Sequence, residues 1–387
     1  MSLLVAVRRI QHVVLACCAI SLSSPVLSAD ETGVSNEKIL IGQSNAYSGA
    51  LTELGREYTL GIKTYFEQVN QAGGVNGRKL ELISLDDAYD PKKTLENTKT
   101  LINDKKVFAL GFYIGAANTE GVIPLLNENK IPLIGTLSGS DSLRSPAIFS
   151  RYLFHTKAGY THEFARMVQQ ISSTGMKNMA VVYQNNAFGK QGLATINEQL
   201  KKQGITPVAS VAVETDSANI DAAVKAVAAQ TPSAIVLVTA GAVTSNFIRG
   251  YSKAGQRSQF FTLSFVATSG LIKDLGDLSR GIVVTQTSPF PWSVTMPIIK
   301  DYQQSMKKAG VDNYGMLSME GYIAARIVVA GLRKAGRDLT RLKFIQALET
   351  VNSQDVGDYN LSYSQTNHNG SSFVDLTLID RNGKFIR

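Results

Sequence analysis

The sequence predicts an α/β fold built from two core-forming lobes, and three observations carry that expectation. Short β-branched apolar runs alternate with longer stretches whose apolar residues recur at helical spacing, which is the rhythm of βαβ units. That rhythm restarts after residues 151–155, so the second half of the chain repeats the first. The run 131–144 (IPLIGTLSGSDSLR) breaks from an apolar strand into a rim of Gly and Ser, which is how an open sheet offers amides and hydroxyls to a ligand at its strand ends. A chain of 387 residues that is 44% hydrophobic and 18% charged is long enough for two cores and too apolar for general disorder.

Residues 38–43 (KILIGQ) read as the first strand; after a loop at 45–54, a helix follows with Ile62, Phe66 and Val69 on one face, stopped by Gly73. Asn76-Gly77 turns the chain into the alternating strand 79–85, and Asp90-Pro91 opens a helix with Leu95, Leu101 and Ile102 on its apolar face. Strand 107–112, helix 119–127 and strand 131–135 deliver the chain to the Gly/Ser lip. The second half reads as helix 160–172, strand 179–183, helix 190–202, strand 208–213, helix 220–229, strand 234–238, helix 244–253, and strands 260–263 and 282–286. A Pro-rich connector (SPFPW) then leads to helices 296–308, 318–334 and 340–350 and a closing strand pair ending in 373–379. No low-complexity tether divides the halves, so the lobes must be joined by short crossings.

The N-terminus carries a processing signal. Arg8 and Arg9 precede an apolar run over 10–20, and small residues lead to a cleavage site after Ala29. Residues 1–29 are expected to be removed on export, together with both cysteines, Cys17 and Cys18. Lipid attachment at Cys17 is the weaker alternative, because Leu15-Ala16-Cys17 only loosely imitates such a site. No later stretch offers eighteen uninterrupted apolar residues, about the length a membrane span needs. The formal charge of +8 is spread among acids with no basic block or interleaved aromatics, which argues against nucleic-acid binding.

Reactive constellations are equally scarce. Of the four histidines, His12 lies in the leader, His155 and His162 have the wrong spacing for a same-face metal pair, and His368 sits in a polar turn. The Ser-x-x-Lys pattern at Ser305 and Lys308 falls on an amphipathic helix, and Asp86-Asp87 reads as an Asx turn. No enzyme chemistry, metal or cofactor is expected.

Six stretches then stand in a recognisable order: ILIGQSNAYSG, NQAGGVNGRKLEL, LDDAYDP, VFALGFYIGAAN, IPLIGTLSG and YQNNAFGKQGL. Through them the chain from about Lys38 to its end resembles type I periplasmic solute-binding proteins, the Leu/Ile/Val-binding branch that serves ABC importers. The resemblance implies two Rossmann-like lobes joined by three crossover segments near residues 156, 287 and 353, with a small solute trapped as the cleft shuts. It assigns 30–156 plus 288–352 to lobe 1 and 157–287 plus 353–387 to lobe 2. It also implies a periplasmic monomer that captures a small carboxylate-bearing solute and hands it to an ABC transporter permease. A periplasmic ligand-sensing subunit of a signalling system, identical in fold, is the alternative.

The site can be argued by position. Gly115, Ala116, Ala117 and Asn118 stand where strand 107–112 hands over to a helix, so their amides point outward with the positive helix end behind them. Ser138 and Ser140 offer hydroxyls from the lip on either side of Gly139, and the resemblance gives both loops to a carboxylate. Tyr47, Tyr160 and Phe188 are candidate aromatic walls, although core packing is the ordinary fate of a lone Phe. Val243, in the loop 238–244, closes from the second lobe. Glu320 either reaches the cleft or favours the positive start of its helix. One departure matters most: relatives that bind free α-amino acids place an acid after the strand corresponding to 234–238, and this chain reads TAGAVTSN there. A buried ammonium without a carboxylate is costly, so either Glu53 or Glu320 substitutes, or the solute lacks an ammonium group, and the second is the reading taken. Trp292, the only tryptophan, lies near a crossing.

Overall fold

A computed structural model of the protein describes residues 31–49, 51–146, 150–266 and 269–387. The leader and its two cysteines lie outside the described residues. The first half comprises β1 (Lys38–Asn45), α1 (Thr52–Gln71), β2 (Lys79–Asp86), α2 (Pro91–Asn103), β3 (Ala109–Gly111), α3 (Ala116–Glu120), α4 (Ile123–Asn129), β4 (Leu133–Ile134) and β5 (Leu153–Phe154). The second comprises α5 (Tyr160–Ser173), β6 (Met179–Gln184), α6 (Ala187–Lys202), β7 (Ala209–Val213), α7 (Ile220–Ala228), β8 (Ala234–Val238), α8 (Ala242–Lys253), β9 (Gln259–Thr262), α9 (Ser269–Leu275) and β10 (Val283–Gln286). The tail adds α10 (Pro297–Lys308), α11 (Met316–Ala335), α12 (Arg341–Leu348), β11 (Ser362–Ser364), β12 (Asn367–Gly370), β13 (Asp375–Ile379) and β14 (Phe385–Ile386).

Two parallel sheets organise these elements. The first runs β2-β1-β3-β4-β5; the second runs β14-β13-β10-β9-β8-β6-β7, with β13 and β14 antiparallel at one edge. Each sheet therefore has a switch point, β1 against β3 in the first and β6 against β8 in the second, where successive connections leave toward opposite faces. Ligands of open α/β sheets bind beyond the strand C-termini at such points. The two-lobed α/β architecture expected from the sequence is present.

The cores follow the apolar periodicity. One face of the first sheet packs on α1, α10, α11 and α12 through residues such as Tyr58, Ile62, Tyr322 and Phe344, and the other face packs on α2 and α4 through Leu101, Val122 and Leu126. The helices α1 and α11 touch backbone to backbone: a Cβ on Gly61 would come within 1.8 Å of Ser318 O, and one on Gly321 within 2.0 Å of Tyr58 O. A second core surrounds β6, β8, β9 and β10 and includes Phe164, Phe247 and Phe261.

Several expectations need correction. Residues 119–127 are two helices, not one, because Pro124 removes an amide that a continuous helix would use and α4 starts afresh with it in its first turn. The strand at 107–112 shrinks to three residues, and Phe112 leaves the ladder with φ +66°. Helix α9 and the β11–β12 hairpin were not foreseen. Residues 353–363, expected in lobe 2, pack in the first core through Val356, Tyr359, Leu361 and Tyr363, so the chain rejoins the second sheet only at β13. The Tyr359 hydroxyl meets the carbonyls of Thr156 and Thr287 at 3.2 and 2.9 Å, which gathers two crossings at one point.

Candidate functional site

The two loops expected to hold a carboxylate lie side by side. Ile114 and Leu137 form a parallel bridge, Gly115 N–H donates to Leu137 O at 3.3 Å, and the hydroxyls of Thr119 and Thr136 meet at 2.7 Å beneath them. Ala116 and Ala117 open α3 at the edge of this pair, half-buried and exposed respectively. In the lip, Ser138 is buried and its Oγ accepts the Ser140 N–H at 3.2 Å. Its hydroxyl proton finds no acceptor among the described residues. Arg144 supports the lip from behind, donating to Ser138 O at 3.0 Å and to Asn369 O at 3.4 Å. Burial pulls the Arg144 guanidinium down to about 10, with Asp141 opposing, so it stays charged at neutral pH. Ser140 has a different role from the one expected. Its hydroxyl donates to Gln191 Oε1 on α6 at 2.9 Å and lies 2.9 Å from Ser142 Oγ, so it ties lip to second lobe.

The second lobe answers with aromatic rings. Tyr160 begins α5 with its N–H on Gly139 O at 2.7 Å, and its ring lies over that glycine, where a Cβ would come within 2.5 Å of two ring carbons. Phe188 stands in the first turn of α6, fixed by the Asn186 cap on Gly189 N–H at 2.9 Å. Phe265, just past β9, completes a triangle: ring centroids are 5.8 Å apart for Tyr160–Phe188, 6.0 Å for Tyr160–Phe265 and 5.4 Å for Phe188–Phe265. From the first lobe Tyr89 covers Gly115, where a Cβ would meet its ring at 2.6 Å. Phe265 and Tyr89 escaped the sequence reading. The signal for Phe265 was an aromatic just past the end of a strand.

Two candidates stand elsewhere. Tyr47 is half-buried with its hydroxyl on Gln43 Oε1 at 2.8 Å and 3.0 Å from Thr59 Oγ1, and makes no ring contact with the triangle among the described residues. Val243 packs in the second core. Helix α8 starts at Ala242 behind Gly241 at φ +56°, earlier than expected, and that first turn rotates Val243 inward.

Behind the triangle a buried polar chain crosses between the lobes. Glu163 on α5 accepts Ser264 N–H at 2.9 Å, Ser264 Oγ at 3.2 Å and the Thr285 hydroxyl. Lys157 donates to Ser264 Oγ at 3.3 Å and pairs with Glu320 on α11 at 3.5 Å, while Glu320 also accepts the Thr287 hydroxyl. Burial raises the Glu163 carboxyl above its ordinary value, opposed by Lys157. The sequence signal for Glu163 was a charge on the apolar stripe of α5 between Tyr160, Phe164 and Met167. Glu320 thus belongs to the crossing network. Beyond Ser264 a groove of about 1520 Å³ opens between the start of α1, the 311–315 loop and the start of α11, the connector residues Phe290 and Trp292, and the second lobe at Ile272 and Phe385. Among the described residues no group of three or more His, Cys, Asp or Glu could hold a metal ion, and no helix is long and apolar enough to cross a membrane.

The profile of a family described as "Periplasmic binding protein" matches residues 38–384. A Leu/Ile/Val-binding protein of Escherichia coli (strain K12) is 22% identical over 358 residues, which cover 86% of this chain and 87% of that one. Among solved structures, a possible leucine/isoleucine/valine-binding protein from Rhodopirellula baltica SH 1 is similar at a TM-score of 0.81 and 26% identity, covering 92% of this chain and 98% of that chain. An extracellular ligand-binding receptor from Verminephrobacter eiseniae ef01-2 is similar at a TM-score of 0.82 and 26% identity, covering 90% and 100%.

Proposed function

The chain belongs to the periplasmic binding protein family, whose members bind solutes and are not enzymes, and from that premise we propose that it is the periplasmic receptor of an ABC importer for a small carboxylate bearing an apolar or aromatic group. The observation that carries this reading is the contact of Gly139 with Tyr160. It puts the lip under the Tyr160 ring, which packs with Phe188 and Phe265, and the lip is bridged to the Gly115–Ala117 loop at Ile114 and Leu137. One side offers donors to an anion and the other offers ring faces to an apolar group.

Charge accounting favours a solute without an ammonium group. No acid lies between Val238 and Asn246, and the two buried carboxylates behind the triangle are committed, Glu163 to Ser264 and Thr285, Glu320 to Thr287 and Lys157. A solute ammonium entering here loses its hydration without gaining a free partner. Capture proceeds by closure: the solute touches both lobes only when they meet, so affinity measures the difference between open and shut forms, and the shut form is what the permease receives.

The test is calorimetric titration of refolded, ligand-free protein with leucine, phenylalanine, benzoate and 3-phenylpropanoate, preceded by native mass spectrometry of protein as purified. Benzoate or 3-phenylpropanoate should bind at least as tightly as phenylalanine. Tight leucine binding with no affinity for deaminated acids overturns the proposal.

A further inference from the structure

We infer that the groove beyond the aromatic triangle is a tail subsite, so that the preferred solute is an elongated amphipathic acid whose chain runs past Phe265 and Ser264 to Trp292. This rests on the proposed carboxylate-binding reading and extends it from the head of the solute to its length.

Continuity is the first argument. Ser264 lines the groove, and the next residue, Phe265, is a corner of the triangle whose Tyr160 covers Gly139. The groove therefore adjoins the triangle at the chain neighbours Ser264 and Phe265. Size is the second. Pockets that enclose drug-sized molecules measure roughly 300–1,000 Å³, so a groove of about 1520 Å³ holds far more than one amino-acid side chain.

Chemistry is the third. Leu60, Ile272, Phe290, Trp292, Val311 and Leu317 present apolar surface from both lobes and from the connector. Trp292 packs on Phe290 with ring centroids 4.9 Å apart and still remains 42% exposed, as does Ile386 at the opposite wall. Large apolar side chains left open along one groove are surface awaiting an apolar partner. The charged lining residues Glu53, Arg56, Lys273, Asp312 and Lys384 are solvent-exposed, while the Glu57 carboxyl is held by the backbone of Ser318 and Leu317. An alkyl or aryl-alkyl chain fits such a lining.

The experiment titrates ligand-free, full-length mature protein with straight-chain acids from butanoate to decanoate and with phenyl-substituted acids from 3-phenylpropanoate to 6-phenylhexanoate. Calorimetry reads affinity and the single tryptophan reads occupancy of the groove. Affinity should rise about fourfold per methylene before levelling. Trp292 emission should shift to the blue with the long acids only. Trp292→Ala should weaken the longest acids about tenfold and leave butanoate within twofold. If short acids bind and affinity is flat or falls with length, the groove is only solvent between the lobes, and the tail subsite fails while the carboxylate reading stands. If no acid of any length binds, the carboxylate reading fails and the tail subsite fails with it.

Discussion

Tyr160 donates its backbone N–H to Gly139 O at 2.7 Å while its ring crosses the same glycine, so lip and aromatic wall meet at a single residue without a Cβ. Gly139→Ala would drive a methyl group to 2.5 Å from the ring. Either the ring or the lip must move by about an ångström, and both belong to the proposed binding surface. Solute affinity should fall about tenfold, or about 1.4 kcal/mol, while the thermal midpoint drops by only a few degrees. Calorimetric titration beside thermal melting separates the two effects, and unchanged affinity would remove the lip from the site.

Ser140 on the lip and Gln191 on α6 form a hydrogen bond of 2.9 Å between the lobes. A tie across the cleft acts on closure, so Ser140→Ala and Gln191→Leu should each weaken solute binding severalfold. Because they share one bond, their effects should not add: a double-mutant cycle on affinity should return a coupling of about 0.5–1.5 kcal/mol. Strictly additive losses would mean that the two side chains act independently.

Glu163 makes stability depend on pH in a direction that can be worked out. Burial, its largest influence, raises the carboxyl above the ordinary 4.5; Lys157 opposes that rise and Glu320 adds to it. The folded state therefore holds this proton more tightly than the unfolded chain. The resulting stabilisation is complete below about pH 4.5 and is lost as pH rises through the raised value. Glu163→Gln cannot ionise and escapes that loss, so its thermal midpoint relative to the parent protein should climb between pH 4 and pH 8. A constant difference over that range would show that Glu163 ionises without cost in the fold.

The candidate site was legible where its residues sit at strand ends and illegible where long-range approach decides. The Ser138–Ser140 lip follows a strand and Phe188 opens the helix after the next lobe's first strand, so the βαβ reading places both. Tyr89 reaches Gly115 only because Ala88 and Tyr89 take φ of +50° and +64°, with the Tyr89 N–H held on Asp87 at 2.8 Å. Nothing in helical or strand periodicity announces two successive left-handed residues. Val243 was misplaced for a local reason, since a helix start moved by two residues turns a side chain by about half a revolution. The sequence order of Lys157, Glu163, Ser264 and Glu320 conceals their meeting, which needs both sheets and two crossings in place. In the fold, the alternation conveyed both sheets, but short elements such as β5 and the β11–β12 hairpin carry too few residues for a period to register.

Lys157 links the two lobes through buried charge. It is buried, reaches Ser264 Oγ at 3.3 Å and Glu320 at 3.5 Å, and faces Glu163 through the shared serine. Lys157→Met keeps the length of the stem and removes the ammonium, leaving two buried carboxylates without their cation. Removing one member of a buried ion pair costs about 3–5 kcal/mol because the remaining charge is unpaired. Urea denaturation at pH 7 should show a loss of that size. The loss should shrink toward acid pH, where the Glu163 carboxyl, already raised by burial, takes up a proton. Adding Glu320→Gln should recover much of it at pH 7, since the amide needs no counter-charge and can still accept from Thr287. A Lys157→Met protein of near-parental stability, or a double variant no better than the single, would show that the buried charges do not hold the crossings together.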